Sequence, residues 1–234
     1  MKKCYSFILV LMTMLLVCSC SNNQIDEDKP VISKMFTYHP DGSLAAEIIF
    51  DEHGNDIKTT LTDVDGKTTF VSEKTYKYDE YGNYVLCTYK SGETSYEEKI
   101  AYEYDEDGNI TSRKGEKAGQ DMGEYTYADG KLIKHVTVDG LSGVHEYEYD
   151  KAGNLIKEII VDELGENVVE YSYDEHNHAT GYELTSKRED DVAVVEVVYE
   201  NEYDDEGKLV KRSTYNLIDG EKILVNSEER EYHK

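Results

Sequence analysis

The sequence lacks tryptophan and has only 4 phenylalanines and 2 prolines among its 234 residues. Both prolines, Pro30 and Pro40, lie near the start of the chain, and no later stretch carries the apolar spacing of an amphipathic helix. The chain does contain 21 tyrosines. A dry core would favour phenylalanine, because each buried tyrosine hydroxyl needs a hydrogen-bond partner. A tyrosine-rich face is instead typical of a surface that is packed at the ring base and wet at the hydroxyl.

Positive charge is also scarce, since 25 Lys and Arg face 50 Asp and Glu, for a formal net charge of −25. Binding to nucleic acid depends on basic contacts with phosphates, so this balance argues against a nucleic-acid partner. It also argues against adsorption to an anionic membrane surface. A membrane-embedded barrel is disfavoured as well, because Glu, Lys, Ser and Thr occupy the positions where a lipid face needs an apolar band.

Cysteine is too sparse for a disulfide framework. Of 4 cysteines, Cys4 and Cys18 fall in the leading apolar segment, Cys20 is the candidate for lipidation, and Cys87 is left alone. The pattern predicts no disulfide, and it predicts that Cys87 is a small buried side chain.

The first residues read as a targeting segment, with a basic start followed by an apolar run at positions 7–17 that is short for a membrane span. Ser19-Cys20 resembles a bacterial lipobox, in which a small residue precedes the cysteine that is lipidated. The resemblance implies a signal peptide at 1–19, cleavage between Ser19 and Cys20, a lipid on Cys20 and an acidic tether at 20–30. The alternative is an ordinary secretory signal with incidental cysteines.

The tether contains the acidic cluster Asp26-Glu27-Asp28. It resembles the signal that exports some lipoproteins of Gram-negative gut bacteria to the outer face of the outer membrane. The resemblance implies a surface-exposed outer-membrane lipoprotein whose membrane partner is reached through the lipid on Cys20. A periplasm-facing position is the alternative.

From residue 31 onward one unit recurs, seen most completely in Tyr147 to Leu155. Asp150 suits the first position of a turn, where its carboxylate accepts a backbone N–H two residues on. Gly153 supplies the left-handed residue of a three-residue hairpin loop with a bulge. At the copy beginning with Asp174 the glycine is replaced by Asn177, which also tolerates positive φ. The unit is therefore a strand end, a tight turn and the start of the next strand.

The loop length sets which residues lie opposite one another. Counting from each turn predicts these cross-strand pairs: Tyr38–Leu44, Phe50–Asp56, Tyr78–Tyr84, Tyr104–Ile110, Tyr127–Leu132, Tyr149–Leu155 and Tyr203–Leu209. For Tyr127 the count depends on a shorter type I′ turn at Asp129-Gly130.

Short turns throughout make sequential strands antiparallel neighbours. We therefore predict a single all-β domain over residues 31–234, an antiparallel meander of roughly sixteen strands. A twisted sheet of this length curls, and closure into a large water-soluble barrel removes both edges. The tyrosine face is expected to line its lumen. An open curled single-layer sheet is the alternative, and pairing of the strand near Met35 with the strand near Tyr232 decides between the two.

The Tyr-Asp-x-x-Gly-Asn-Leu/Ile units resemble the YD repeats of RHS-type proteins, which form hairpins of a curling β-sheet shell. The matching positions are Asp79, Gly82, Asp105, Gly108, Asp150, Gly153, Asp204 and Gly207. Asn or Lys stands where the family has Arg after the glycine. The large RHS shells enclose a toxin, and this chain has too few copies for that role. The chain is also similar, in length, lipobox and hairpin spacing, to small gut-bacterial lipoproteins of unknown function with a porin-like soluble barrel.

Two clusters resemble metal ligands. Asp105, Asp107 and Asn109 alternate as calcium-loop ligands do, but the glycine and the distal glutamate of an EF-hand are missing. His176 and His178 lie on one turn without an evident third ligand. Turn chemistry accounts for both clusters, so we predict no metal site and no cofactor.

No nucleophile-elbow, zinc-protease or phosphate-loop motif is present. Alternation places Glu148, Glu170 and Glu196 on the face opposite the tyrosines, so these carboxylates cannot converge on a ligand inside. We therefore predict no catalytic residues and a non-enzymatic cell-surface protein that binds a glycan or peptide, or acts as a scaffold, through its tyrosine face. The alternatives are a glycan hydrolase with its site in the lumen and a passive spacer.

Overall fold

The computed structural model describes residues 30–118, 120–137, 143–188 and 191–233. These residues form sixteen β-strands and no helix, so none of them provides a helix able to cross a membrane. The strands are β1 (Ile32–Tyr38), β2 (Leu44–Phe50), β3 (Asp56–Thr62), β4 (Thr68–Tyr78), β5 (Tyr84–Ser91), β6 (Thr94–Tyr104), β7 (Ile110–Lys117), β8 (Gln120–Ala128), β9 (Lys131–Val136), β10 (Gly143–Tyr149), β11 (Leu155–Asp162), β12 (Gly165–Tyr173), β13 (Ala179–Arg188), β14 (Asp191–Tyr203), β15 (Leu209–Ile218) and β16 (Glu221–Tyr232). The predicted signal peptide and tether lie outside the described residues.

The sixteen strands form one closed antiparallel barrel in sequence order. Closure is made by β1 and β16, in which Met35 lies opposite Arg230 and Ile32 opposite Tyr232. The predicted meander and its closure are confirmed, and the open sheet is wrong. With no unpaired edge, every strand has hydrogen-bonded neighbours on both sides.

The barrel has two ends of different character. The tyrosine rim carries the turns at 51–55, 79–83, 105–109, 129–130, 150–154, 174–178 and 204–208, and both described chain ends meet there, where the His233 amide donates to the Val31 carbonyl at 2.9 Å. The far rim carries the other turns, among them 39–43, 63–67, 163–164 and 219–220. The names tyrosine rim and far rim are used in this sense below.

The turns of the tyrosine rim have the predicted chemistry. In the turn at 150–154, the Asp150 amide donates to the Asn154 carbonyl at 2.9 Å, and Asp150 Oδ1 accepts from the Asn154 amide at 2.8 Å. Gly153 has a φ of 95° and Asn177, its counterpart, a φ of 61°. Asp129 and Gly130 both have positive φ, as the type I′ turn requires.

Every predicted cross-strand pair is confirmed, including the Phe50–Asp56 exception and the pair made by the shorter turn. The prediction that all these tyrosines share the lumen face is wrong for Tyr38. Its turn lies at the far rim, and the tyrosine is outside the barrel, where its hydroxyl donates to Glu229 at 3.2 Å. The residue that precedes a turn of this kind points into the lumen at the tyrosine rim, whereas Tyr38, which precedes such a turn at the far rim, points outwards.

The seam between β1 and β16 repeats the geometry of a tyrosine-rim hairpin without a turn. Tyr232 lies opposite Ile32 across a register shift, as Tyr149 lies opposite Leu155. The backbone bond from His233 to Val31 corresponds to the one from Asp150 to Asn154. The barrel is therefore an eightfold array of related strand pairs, and its closure uses the same cross-strand unit as every other repeat.

Candidate functional site: the lumen wall

Alternate residues of a closed barrel point into the lumen or outwards, and the cross-strand register assigns them. The lumen wall, as used here, is the inward set that contains the buried side chains Met35, Cys87 and Val169. Among the described residues only Leu209 is a large side chain with less than 2% exposure. Most of the wall keeps partial exposure, and because its side chains face inwards, that exposure is to space within the barrel.

Tyrosine hydroxyls fasten each repeat to the one before it. Tyr78, Tyr104 and Tyr203 donate to the turn carboxylates of Asp51, Asp79 and Asp174 respectively. Tyr149, Tyr173 and Tyr232 donate instead to the backbone carbonyls of Leu132, Leu155 and Leu209 at 2.9, 2.7 and 2.6 Å. These six tyrosines at the tyrosine rim have hydroxyls that are hydrogen-bonded within the protein. Their recurrence at the same position of each repeat therefore has a structural cause.

Four ion pairs lie on the lumen wall: Lys74–Asp56, Arg113–Glu98, His145–Glu158 and Arg230–Glu228. Their side chains are 8–30% exposed. Cross-strand pairs of the outer wall, such as Lys187–Glu166 at 55% and 40%, are far more open. The lumen wall is thus polar and nearly balanced in charge, although the whole chain is strongly acidic.

The presence of these inner carboxylates corrects the prediction that alternation keeps glutamates off the tyrosine face. Glu148, Glu170 and Glu196 are outside and exposed, as expected. Glu158, however, lies opposite Tyr147 on the lumen wall. The cause is the bulge beside each turn, which inserts one residue and reverses the alternation beyond it. Counting past the bulge in the sequence would have found Glu158.

One sector of the wall is a continuous stack of aromatic and basic side chains. The Arg113 guanidinium lies 4.5 Å from the centre of the Tyr125 ring, and the His135 ring stacks on Tyr125 at 4.0 Å and 11°. His135 is followed by His145 at 5.7 Å. His145 Nδ1 lies 3.1 Å from Glu158 Oε1. The Tyr125 ring therefore packs against two neighbouring side chains of the wall.

A second sector, on β12 to β15, carries tyrosines that are tilted against one another instead of stacked. Tyr182 lies between Tyr171 at 6.1 Å and Tyr199 at 6.3 Å, tilted by 52° and 58°. Burial is the first cause that raises the pKa of all three phenols, so they stay neutral at physiological pH. These tilted rings leave parts of their faces uncovered by one another, and we call them the tyrosine triad.

Arg212 completes this second sector. Its guanidinium carbon lies 4.6 Å from the centre of the Tyr199 ring. Its Nε donates to Asn201 Oδ1 at 2.9 Å, and its Nη2 donates to the Ala179 carbonyl at 3.3 Å. Burial, followed by repulsion from Arg230, lowers the pKa of Arg212. Sequence analysis missed this residue for the same reason as Glu158, since Arg212 reaches the inner wall only when the count passes the bulge after Leu209.

The candidate metal ligands are held by turn chemistry. Asp105 Oδ1 accepts the backbone amides of Asp107 and Asn109 at 3.0 and 2.8 Å. Asp174 Oδ1 accepts those of His176 and His178, both at 3.0 Å. Within the described residues no group of three or more His, Cys, Asp or Glu is placed to hold a metal ion. Cys87 is buried, as predicted, at 6% exposure.

Comparison with known proteins gives a likeness of fold only. The chain is similar to a porin-like protein from Bacteroides uniformis, with 10% identity and a TM-score of 0.42 over 86% of this chain and 98% of that one. A porin-like protein from Bacteroides vulgatus gives 10% identity and a TM-score of 0.42 over 88% and 99%. TcdB2-TccC3 gives 14% and 0.23 over 86% of this chain and 14% of that one. No protein-family model and no curated protein matches. The resemblance to YD repeats stays a prediction.

Proposed function

We propose that the chain is a cell-envelope lipoprotein whose barrel binds a glycan without catalysis. The observation that carries the proposal is the tyrosine triad on a lumen wall that also offers ion pairs and amides. Partly exposed aromatic rings accept the C–H faces of sugars, and a few convergent polar groups fix their orientation. Tyrosine supplies this contact area with little loss of side-chain entropy.

The distribution of carboxylates supports binding over hydrolysis. Glycosidases place two carboxyl groups roughly 5 to 10 Å apart. Asp56, Glu98, Glu158 and Glu228 lie on β3, β6, β11 and β16. Even the nearest two of these four are three strands apart, about 14 Å along the wall at ~4.8 Å per strand. Each contacts a lysine, arginine or histidine side chain of its own. This spacing favours binding, and a lumen hydrolase remains the alternative to be tested by incubation with the same glycans.

The hydroxyl bonds at the tyrosine rim favour a second candidate, a passive spacer. Six tyrosines there are engaged in joining repeats. The tyrosine triad is different, because its rings are held by side-by-side contacts. Binding is therefore assigned to the triad sector, and the rim is assigned to structure.

The outer wall is suited to water. Charged cross-strand pairs such as Lys134–Glu146 and Lys157–Glu170 lie on it. A lysine facing lipid at the bilayer midplane costs about 2–4 kcal/mol. We therefore propose that the membrane association runs through a lipid on Cys20, with the barrel in water at the outer face of the outer membrane, as the acidic tether suggests.

The test is binding of the full-length protein, purified in detergent micelles, to an array of neutral and acidic oligosaccharides, peptidoglycan fragments and peptides. We expect glycan binding that Tyr182→Ala weakens. Tyr215→Ala is the matched control, because Tyr215 pairs with Leu224 on the outer side of the wall. Absence of glycan binding at about millimolar ligand refutes the proposal. If only peptides bind, the ligand is a peptide and not a glycan. If the bound glycan is cleaved, the alternative of a lumen hydrolase is correct.

A further inference from the structure

We infer that Arg212 forms a subsite for a carboxylate group, so that the glycan taken by the tyrosine triad is an acidic one that carries uronic-acid residues. The inference rests on the proposed function for the polymer, but the subsite itself is defined by side chains of β13 to β16 and can be tested separately.

The first argument is the pairing of charges on the lumen wall. Its inward Lys117 and Arg188 are exposed near the far rim, while its buried and half-buried lysine and arginine side chains are Lys74, Arg113, Arg212 and Arg230. Three of them have a carboxylate within 4.0 Å. Arg212 has none among the described residues, because its hydrogen bonds go to an amide and a backbone carbonyl. Within the described part of the chain, Arg212 is therefore the half-buried inner-wall guanidinium that lacks a bonded counter-charge.

The neighbouring carboxylates are already engaged. Glu228 lies directly opposite Arg212 in the register, but its Oε1 accepts from both Nε and Nη2 of Arg230. Asp174 Oδ2 accepts from the Tyr203 hydroxyl and from Asn201 Nδ2. An arginine in such a setting is stabilised by an additional anion, since removing a charge from water is unfavourable unless it is paired.

His178 adds a second unsatisfied polar group in the same sector. Its Nδ1 is buried and has no hydrogen-bond partner. Burial is the main cause that lowers the pKa of His178. Asp174 opposes this effect, while Arg230 and Arg212 add to it. The imidazole is thus neutral at physiological pH, and it lies within the electrostatic reach of both arginines.

The geometry of Arg212 fits a carboxylate in particular. A guanidinium has five N–H donors, of which this one uses two within the protein. The Tyr199 ring backs its plane, and Asn201 fixes its Nε edge. A guanidinium held in one plane presents two parallel N–H groups, which match the two oxygens of a carboxylate. The adjoining triad would then contact the sugar ring that carries the carboxylate.

The test compares small ligands that differ only in the charged group. Thermal unfolding of the full-length protein in detergent is followed with sodium glucuronate, glucose or glucose 6-sulfate. A ligand that binds the folded state raises the melting temperature. We expect a shift with glucuronate that exceeds those of glucose and the sulfate. Arg212→Gln should weaken glucuronate binding on the order of tenfold or more. Lys211→Gln is the matched control, because Lys211 is the next residue and points outwards towards Glu202.

An equal response to glucose and glucuronate in the native protein overturns the subsite, as does an unchanged glucuronate response in Arg212→Gln. An equal response to sulfate overturns the assignment to a carboxylate. If Arg212→Gln fails to fold, Arg212→Lys takes its place, since it keeps the charge and removes the planar pair of donors. Neutral glycans that bind regardless of Arg212 leave the proposed function intact and refute only the subsite. If glucuronate binding depends on Arg212 but no glycan polymer binds, the subsite is supported and the proposed function is refuted.

Discussion

Each five-residue turn of the tyrosine rim depends on one aspartate and one residue with positive φ. The aspartate carboxylate accepts the amides of the second and fourth residues that follow it, as Asp204 does for Glu206 and Lys208 at 3.0 and 2.8 Å. The positive-φ residue, Gly207 in this turn, lets the chain reverse. Because the two residues act at the level of the backbone, their effects can be predicted one turn at a time.

Gly153→Val is expected to destabilise the barrel by about 1 kcal/mol or more, since a β-branched side chain is strained at a φ of 95°. The only nearby obstacle to a new Cβ is the flexible Lys131 side chain at 3.3 Å, so the effect reports backbone strain. The measurement is the urea midpoint. Asn177→Gly at the equivalent position is the control and should be neutral or slightly stabilising. An unchanged midpoint for Gly153→Val would contradict the turn assignment.

The Tyr203–Asp174 contact should give stability a defined pH range. Burial, followed by the hydrogen bond to Asp174, raises the pKa of Tyr203 to about 12. Burial acts to raise the pKa of Asp174, but hydrogen bonds led by Tyr203 outweigh it and lower this pKa. Because the pKa of Tyr203 is raised in the folded state, this residue stabilises the fold below its unfolded pKa of about 10. The contribution is lost as pH rises through about 12. Because the pKa of Asp174 is lowered in the folded state, this residue stabilises the fold above its unfolded pKa of about 3.9. The contribution is lost as pH falls below that value.

The corresponding measurement is the difference in urea midpoint between the native protein and Tyr203→Phe, taken from pH 3 to pH 12. The native protein should be more stable on a plateau between about pH 4 and pH 10, and the difference should shrink on both sides. Tyr89→Phe is the control and should show no such plateau, because Tyr89 is held by ring stacking on Tyr96 and not by a carboxylate. A difference that grows above pH 10 would reverse the sign assigned to Tyr203.

At the scale of the element, the strand pair rather than the single strand is the repeating object. Most pairs end in an aromatic–aliphatic contact at the tyrosine rim, and six tyrosine hydroxyls there donate to the preceding pair. These bonds fix neighbouring hairpins in register, as cross-strand contacts do in sheets generally. The seam at Ile32 and Tyr232 obeys the same rule with no covalent connection.

Cysteines placed across the seam should form a disulfide only in a closed barrel. Lys34 and Glu231 lie directly opposite each other on β1 and β16. Directly opposed Cα atoms are about 4.5–5.5 Å apart, within the range that a disulfide spans. Lys34→Cys with Glu231→Cys should therefore oxidise readily, as seen by a gel shift under non-reducing conditions. Lys34→Cys with Glu200→Cys is the control and should stay reduced. Failure of the first pair to oxidise would indicate an open sheet.

At the scale of the whole molecule, the two rims differ in their exposed apolar side chains and in their distance from the ends of the described chain. Exposed apolar side chains gather at and beside the far rim: Val64, Phe70, Val71, Val161, Leu164, Val192, Val194, Ile218 and Ile223. The described chain begins and ends at the tyrosine rim. A lipid on Cys20 would hold the tyrosine rim nearer the membrane, because ten residues reach at most about 35 Å.

Cys20→Ala should release the protein from the membrane fraction, because no other anchor is proposed. The measurement is fractionation of cells that express the full chain, with Cys18→Ala as the matched control that stays membrane-bound. Deleting Asp26 to Asp28 should move the protein from the cell surface to the periplasmic side, as reported by protease treatment of intact cells. Unchanged fractionation of Cys20→Ala would refute the lipid anchor.

The sequence by itself determined the local geometry. Asp and Gly or Asn at fixed spacing specify a turn, the turn length specifies which residues pair, and short turns specify antiparallel neighbours. Each of these effects acts within about ten residues, so every predicted pair, from Tyr38–Leu44 to Tyr203–Leu209, could be counted along the chain. Closure remained open between two alternatives, because it depends on strands nearly two hundred residues apart.

Tertiary structure decided which side of the wall each residue occupies. A bulge beside each turn reverses alternation, so Glu158 joins Tyr147 inside while Glu148 stays outside. The side also depends on the rim at which a turn lies, which placed Tyr38 outside. The surroundings of Arg212 formed only when β13, β14 and β15 came together, since its contacts come from Asn201, Ala179 and Tyr199. Local hydrogen bonds fix pairing, whereas the composition of a lumen depends on the sum of all registers around a closed ring.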